Sequence, residues 1–177
     1  MLVGTGTASA RHEASLDGQW EYVRATTPDP PPPAEGWQEV SVPSALRQMP
    51  EPHVWYRRSF RVPEAMRGER TFLRFGAAKF VTQVFVNDQQ IGGHYGGWEP
   101  FELDASDVVV PDQDNSLLVR VTDVRGVIDQ EMEWERQGRG VRFVDQASAS
   151  ILAPVGSRYG EVGLWESVSL ISYPDVS

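Results

Sequence analysis

The chain has 177 residues, a 40% hydrophobic and 23% charged composition, and a formal net charge of −9. This length and balance fit one domain with a real core and exclude global disorder. The acidity argues against nucleic acid or an anionic membrane as the main partner, and the absence of cysteine excludes disulfides, thiol catalysis and cysteine-ligated metals.

The N-terminus ends its first ten residues in Ala8-Ser9-Ala10. That is the small-residue form of a signal-peptide cleavage site, without the basic and apolar regions that should precede it. Residues 1–14 are read as a flexible tail and 15–177 as a single domain, with an extracellular or periplasmic location expected. No apolar run approaches the roughly 18 residues that span a bilayer. His12, His53 and His94 are too dispersed for a metal-ligand spacing.

From there the alternation has period 2, the mark of strands. Gln19 to Arg24 is a short strand. Pro28 and the run Pro30 to Pro33 cannot supply ladder donors, so Thr26 to Gly36 is an extended loop. Trp37 to Val42 and His53 to Val62 are strands, each stopped by a proline. Arg70 to Phe75 and Val81 to Asn87 follow, rich in β-branched and aromatic residues. Asn87-Asp88 then reads as a hairpin turn, because both residues tolerate a left-handed backbone. Gly92 to Gly97 reads as a tight turn, Phe101 to Asp104 as a strand and Ser106 to Val110 as a turn. Strands are expected again around Leu117 to Val121 and Trp165 to Ile171. Between Thr122 and Ile151 the alternation fails, and a loop of that length is often functional. Many short strands separated by turns predict an all-β sandwich of the jelly-roll type.

A site for a small polar ligand needs aromatic faces beside planar polar groups, and these belong on loops rather than in strands. Trp134 with Glu135 and Arg136 in the long irregular segment meets this need. Arg158 with Tyr159 and Trp37 beside the proline loop are further candidates. Trp20, Trp55, Trp165, Phe75 and Phe85 lie in expected strands and read as packing residues. His94 has no serine, cysteine or second histidine in a recognised arrangement and reads as structural. Glu131, Glu133 and Glu135 alternate within one loop, a poor way to place an acid–base pair of carboxyls on either side of a bond to be hydrolysed. With Asp123 and Asp129 they offer oxygen ligands of the kind calcium takes. A structural calcium is thus the one metal reading, and no other cofactor is expected.

Five segments in order resemble the N-terminal sugar-binding domain of glycoside hydrolase family 2, which includes β-galactosidases, β-glucuronidases and β-mannosidases. They are VWYRRSFRVP (54–63), TFLRFGAAKFVTQVFVND (71–88), IGGHYGGWEPFELD (91–104), NSLLVRVTD (115–123) and GLWESVSL (163–170). The resemblance implies a galactose-binding-like jelly roll. It also implies a partner architecture, with an immunoglobulin-like domain and a catalytic (β/α)8 barrel that carries the two catalytic glutamates. This chain would then be non-catalytic, with an oligo- or polysaccharide as ligand and neither nucleic acid nor membrane as partner. The chain departs from the family pattern at the hairpin, where Asn87-Asp88 replaces the usual Asn-Gly, and at three further positions. Ser157 stands where an acidic residue commonly reaches the sugar, Glu166 where a basic residue is common, and Lys79 nearest to a polar asparagine that helps in the galactosidases. Two readings stay open: a carbohydrate-binding domain, or a purely structural domain that supports the barrel and binds no sugar itself.

Overall fold

The computed structural model describes residues 11–47, 50–123, 126 and 161–174. These residues form strands β1 (His12–Ser15), β2 (Gly18–Ala25), β3 (Gln38–Val42), β4 (Leu46–Arg47), β5 (His53–Phe60), β6 (Arg70–Phe75) and β7 (Ala78–Lys79). They continue through β8 (Val81–Val86), β9 (Gln89–Tyr95), β10 (Phe101–Asp104), β11 (Asn115–Thr122), β12 (Glu161–Leu164) and β13 (Val168–Tyr173). No helix among them is long and apolar enough to cross a membrane.

The architecture is a jelly-roll β-sandwich with antiparallel pairing. One layer is a six-stranded sheet in the order β3-β2-β5-β11-β8-β9. The other is built end to end from β1-β13-β6-β10 and β4-β12-β7. Two hydrogen bonds join its halves, Gly76 N–H to the Ser167 carbonyl at 2.8 Å and Glu166 N–H to that of Ala77 at 3.4 Å. Gly76 is required at this join, since a Cβ there would lie 2.8 Å from that of Glu166.

Alternation places one side of each strand between the layers. Val54, Tyr56, Val84, Leu117, Val119 and Val121 from the first layer meet Leu73, Phe75, Leu164, Val168 and Leu170 from the second. The outer face of the six-stranded sheet carries a second cluster of Val23, Ala25, Trp55 and Phe85, with Trp37 and Leu118 against it. The proline loop is fastened at this face, where Trp37 Nε1 donates to the Pro33 carbonyl at 2.9 Å and Arg120 Nη1 donates to that of Pro28.

The expected strands are present, the short β4, β7 and β12 are added to them, and there are three further differences. β1 lies largely within the stretch read as a tail, and its His12 to Ser15 pair with Ser172 to Ser169. Gly92 to Tyr95 belong to β9 and not to a turn. A bulge at the Val84/Phe85 step of β8 opposite β9 accommodates glycines inside a strand, and Gly92 has φ +151°. Trp165 does not open the last strand: β12 ends at Leu164 and β13 begins at Val168, because the second layer kinks between them. The hairpin reading of Asn87-Asp88 stands, with φ of 50° and 65° at the two positions.

Candidate functional site

The registers define two ends of the sandwich. At the near end β2 and β11 finish while β5 and β8 begin, since Ala25 pairs with His53 and Thr122 with Val81. Here β12 runs between β4 and β7, with Glu161 opposite Arg47 and Gly163 opposite Lys79. Gly163 has φ +132°, and a Cβ on it would lie 2.3 Å from the Tyr56 hydroxyl. Glycine is therefore what lets β12 pass over the core.

Lys79 is half-buried beside this crossing. Its ammonium lies 5.2 Å from the centroid of the Trp98 ring. Burial holds its pKa below the usual lysine value, while the Glu161 carboxylate pulls the other way. Trp98 stands edge-on to Trp165, with centroids 4.6 Å apart and planes at 90°. Trp165 Nε1 in turn donates to the Gly97 carbonyl at 2.9 Å. Gly97 is buried against Lys79 and the Phe80 ring. Trp98 Nε1 is buried and has no hydrogen-bond partner. Phe80 also meets Tyr95 edge-on at 5.1 Å, leaving Tyr95 55% exposed. The cluster thus combines aromatic surface, a cation and an unused N–H donor, with a carboxylate next to the cation. Such a set matches a ligand rich in hydroxyl oxygens.

Trp37 lies elsewhere, on the outer face of the first layer. It lines an open groove of about 330 Å³ with Pro32, Arg57 and Leu118. Its ring carries the Arg57 guanidinium at 4.1 Å, and Arg57 bonds Glu21 at 2.7 Å. The structure does not bring Trp37 and Lys79 together. Trp134, Glu135, Arg136, Arg158 and Tyr159 lie outside the described residues, as do Glu131, Glu133, Asp129 and Ser157.

Two histidines are accounted for. His94 stacks on Phe101 at 4.3 Å and 12°, and its Nε2 is 3.1 Å from Glu99 Oε1. His53 is buried, with Nδ1 2.9 Å from Thr122 Oγ1. Burial, with help from the nearby Arg120 charge, pushes the His53 pKa down to about 4. Among the described residues no group of three or more histidines and carboxylates is arranged to hold a metal. Asp123 is buried and accepts from the Gly126 N–H at 2.9 Å.

Trp98 and Glu161 carry no role that the sequence alone assigns. Trp98 sits in a glycine-rich segment that gives no sign of what it faces. Glu161 reaches Lys79 only because β12 pairs with β7. Trp165, expected to pack inside a strand, is instead a half-buried support for Trp98.

Residues 37–174 match the family model described as glycosyl hydrolases family 2, sugar binding domain. The chain belongs to this family. A β-glucuronidase of Paenibacillus borealis is 31% identical over 109 residues, which are 60% of this chain and 18% of that protein. A β-galactosidase of Thermoanaerobacter pseudethanolicus is 29% identical over 98 residues, 50% of this chain and 13% of that protein. The solved β-glucuronidase of an uncultured Clostridium superposes with a TM-score of 0.69 at 24% identity, over 99% of this chain and 31% of that one. The sugar-binding domain therefore spans less than a fifth of the curated relatives and about a third of that solved chain.

Proposed function

We propose that the chain is a non-catalytic carbohydrate-binding domain that contributes to substrate binding beside the separate catalytic barrel of a family 2 glycoside hydrolase. The observation that carries this reading is the near-end cluster, where the Lys79 ammonium lies over Trp98 and the buried Trp98 Nε1 has no protein acceptor. A sugar hydroxyl would supply that acceptor, and Glu161 would accept from a neighbouring hydroxyl. Tethering such a weak binder to a catalytic domain raises the local substrate concentration without new chemistry.

A glycan array with the whole chain, followed by calorimetric titration of the best ligand, tests the reading. Binding that falls roughly 5–30-fold in Trp98→Ala and Lys79→Ala, with melting little changed, supports it. A blank array, or binding untouched by both substitutions, overturns it and leaves the support role.

A further inference from the structure

On the other edge of β12 lies an open cleft of about 610 Å³, lined by residues of β2, β3, β4 and the proline loop. Its size is within the range of about 300–1,000 Å³ typical of ligand sites. The floor is apolar, formed by Leu46 and the ring of Tyr22, which rests on Tyr56 with centroids 6.3 Å apart. The polar groups around it are mostly donors. Tyr22 donates its hydroxyl hydrogen to Gln38 Oε1 at 3.0 Å, which leaves the Gln38 amide nitrogen to donate outward. Arg24 is anchored by one nitrogen, Nη2, to the Arg47 carbonyl at 2.5 Å. Its other terminal nitrogen, Nη1, is buried and has no hydrogen-bond partner. Arg47 is held through its backbone, opposite Glu161 in β12, and its side chain is exposed at the rim. Glu35 supplies the one carboxylate among the described lining residues.

A buried guanidinium nitrogen that has lost water and gained no acceptor is an unmet demand for an anionic oxygen. Two arginines facing one cleft can hold a planar carboxylate in the geometry that suits them. The rest of the cleft points to a sugar rather than a bare anion. An apolar floor suits a pyranose face, and Glu35 and the Tyr22 oxygen accept from hydroxyls. The net charge of −9 opposes a dense polyanion and tolerates a single charge held at two arginines. We propose that this cleft binds one saccharide unit that carries a carboxylate group. The site is separate from the Lys79–Trp98 cluster and stands whether or not that cluster binds sugar.

Titration calorimetry with the whole chain tests it. The probes are glucuronate and galacturonate, with glucose and galactose as neutral counterparts and acetate and sulfate as bare anions. Binding of either uronate and weaker binding of every control is expected, and a preference between the two epimers identifies the source of the sugar. Arg24→Gln and Arg47→Gln should each weaken uronate binding at least tenfold. Arg24 anchors β4 through its side chain, so Arg47→Gln, which keeps every backbone bond, separates lost binding from lost folding. Lys79→Ala removes any uronate held at the Lys79–Trp98 cluster, so the arginine changes are measured in that background as well, and failure here and failure at the cluster are told apart. Equal binding of the neutral sugars, equal binding of acetate or sulfate, absence of uronate binding, or uronate binding unaffected by both arginine changes would each overturn the assignment.

Discussion

The two ends of the sandwich satisfy their polar groups in opposite ways. At the far end, Asn87 Nδ2 donates to the Val108 carbonyl and to Asn115 Oδ1, both at 2.8 Å. Its own oxygen accepts from the Ser116 N–H at 2.9 Å. Asn115 accepts from the Val110 N–H at 2.7 Å and donates to the carbonyls of Val110 and Gln113. These two amides use their donors and acceptors within the protein, and the loops they tie are closed. Around β12 at the near end, Arg24 Nη1, Ser44 Oγ and Trp98 Nε1 are all buried without a partner. A buried polar group left unmet costs roughly 1–3 kcal/mol. The far end thus closes its polar groups on itself, while the near end holds donors in reserve, unused by the protein.

The comparison is broken most severely at the crossing of β12. Gly163→Ala puts a methyl 2.3 Å from the Tyr56 hydroxyl on a backbone with φ +132°. A loss of more than about 3 kcal/mol is expected, from strain and overpacking together. Denaturant unfolding would measure it. Adding Tyr56→Phe removes the oxygen and should recover part of the loss, while the backbone strain stays. At the far end, Asn115→Ala should cost about 2–4 kcal/mol, because it leaves the Val110 N–H and carbonyl without their partner. Sugar affinity should be unchanged in that variant, which sharpens the division between the ends. A parallel fall in affinity would show that the far end also belongs to the site.

Acid titration tests a third point, on the outer face of the near end. His53 is held neutral by burial and by Arg120, with a pKa of about 4 against an ordinary 6.5. Between those values the unfolded chain binds a proton that the folded chain refuses. The stability from this residue is therefore complete above about pH 6.5 and is lost as pH falls toward 4, by roughly 2–3 kcal/mol. Unfolding midpoints measured across this window should show the fall, and His53→Gln should flatten it. An unchanged slope in the variant would assign the acid sensitivity to carboxylates instead.

The sequence reveals the two ends unequally. The long strands β5 and β11 are legible because Val54 and Tyr56, or Leu117, Val119 and Val121, repeat at every second position and face one core. The Asn87-Asp88 turn is legible because few residues accept its backbone angles. The short strands β1, β4, β7 and β12 carry too few residues for a period. They exist because partners distant in the chain pair with them, as Arg47 does with Glu161. The site follows the same rule. Lys79 is reached through family resemblance, and Trp37 is noticed because it borders a proline run. Trp98, Glu161 and the Arg24–Arg47 pair gain their meaning only once β12 lies between β4 and β7.

The smallest expected effect has the opposite sign from the others. Ser44 is tied to β12 through its backbone, with its N–H donating to the Leu164 carbonyl at 2.8 Å. Its hydroxyl oxygen is buried and makes no hydrogen bond. Ser44→Ala keeps the backbone bond and removes a polar atom that gains nothing from the fold. Deleting an unsatisfied hydroxyl is neutral or stabilising, here by up to about 1 kcal/mol. A small rise in melting temperature with weaker sugar binding would place Ser44 among the donors held in reserve. A rise in stability with binding unchanged would confine the reserve to Trp98 and Arg24. A clear loss of stability would mean that the hydroxyl is satisfied in solution, and the contrast between the two ends would rest on the other two groups.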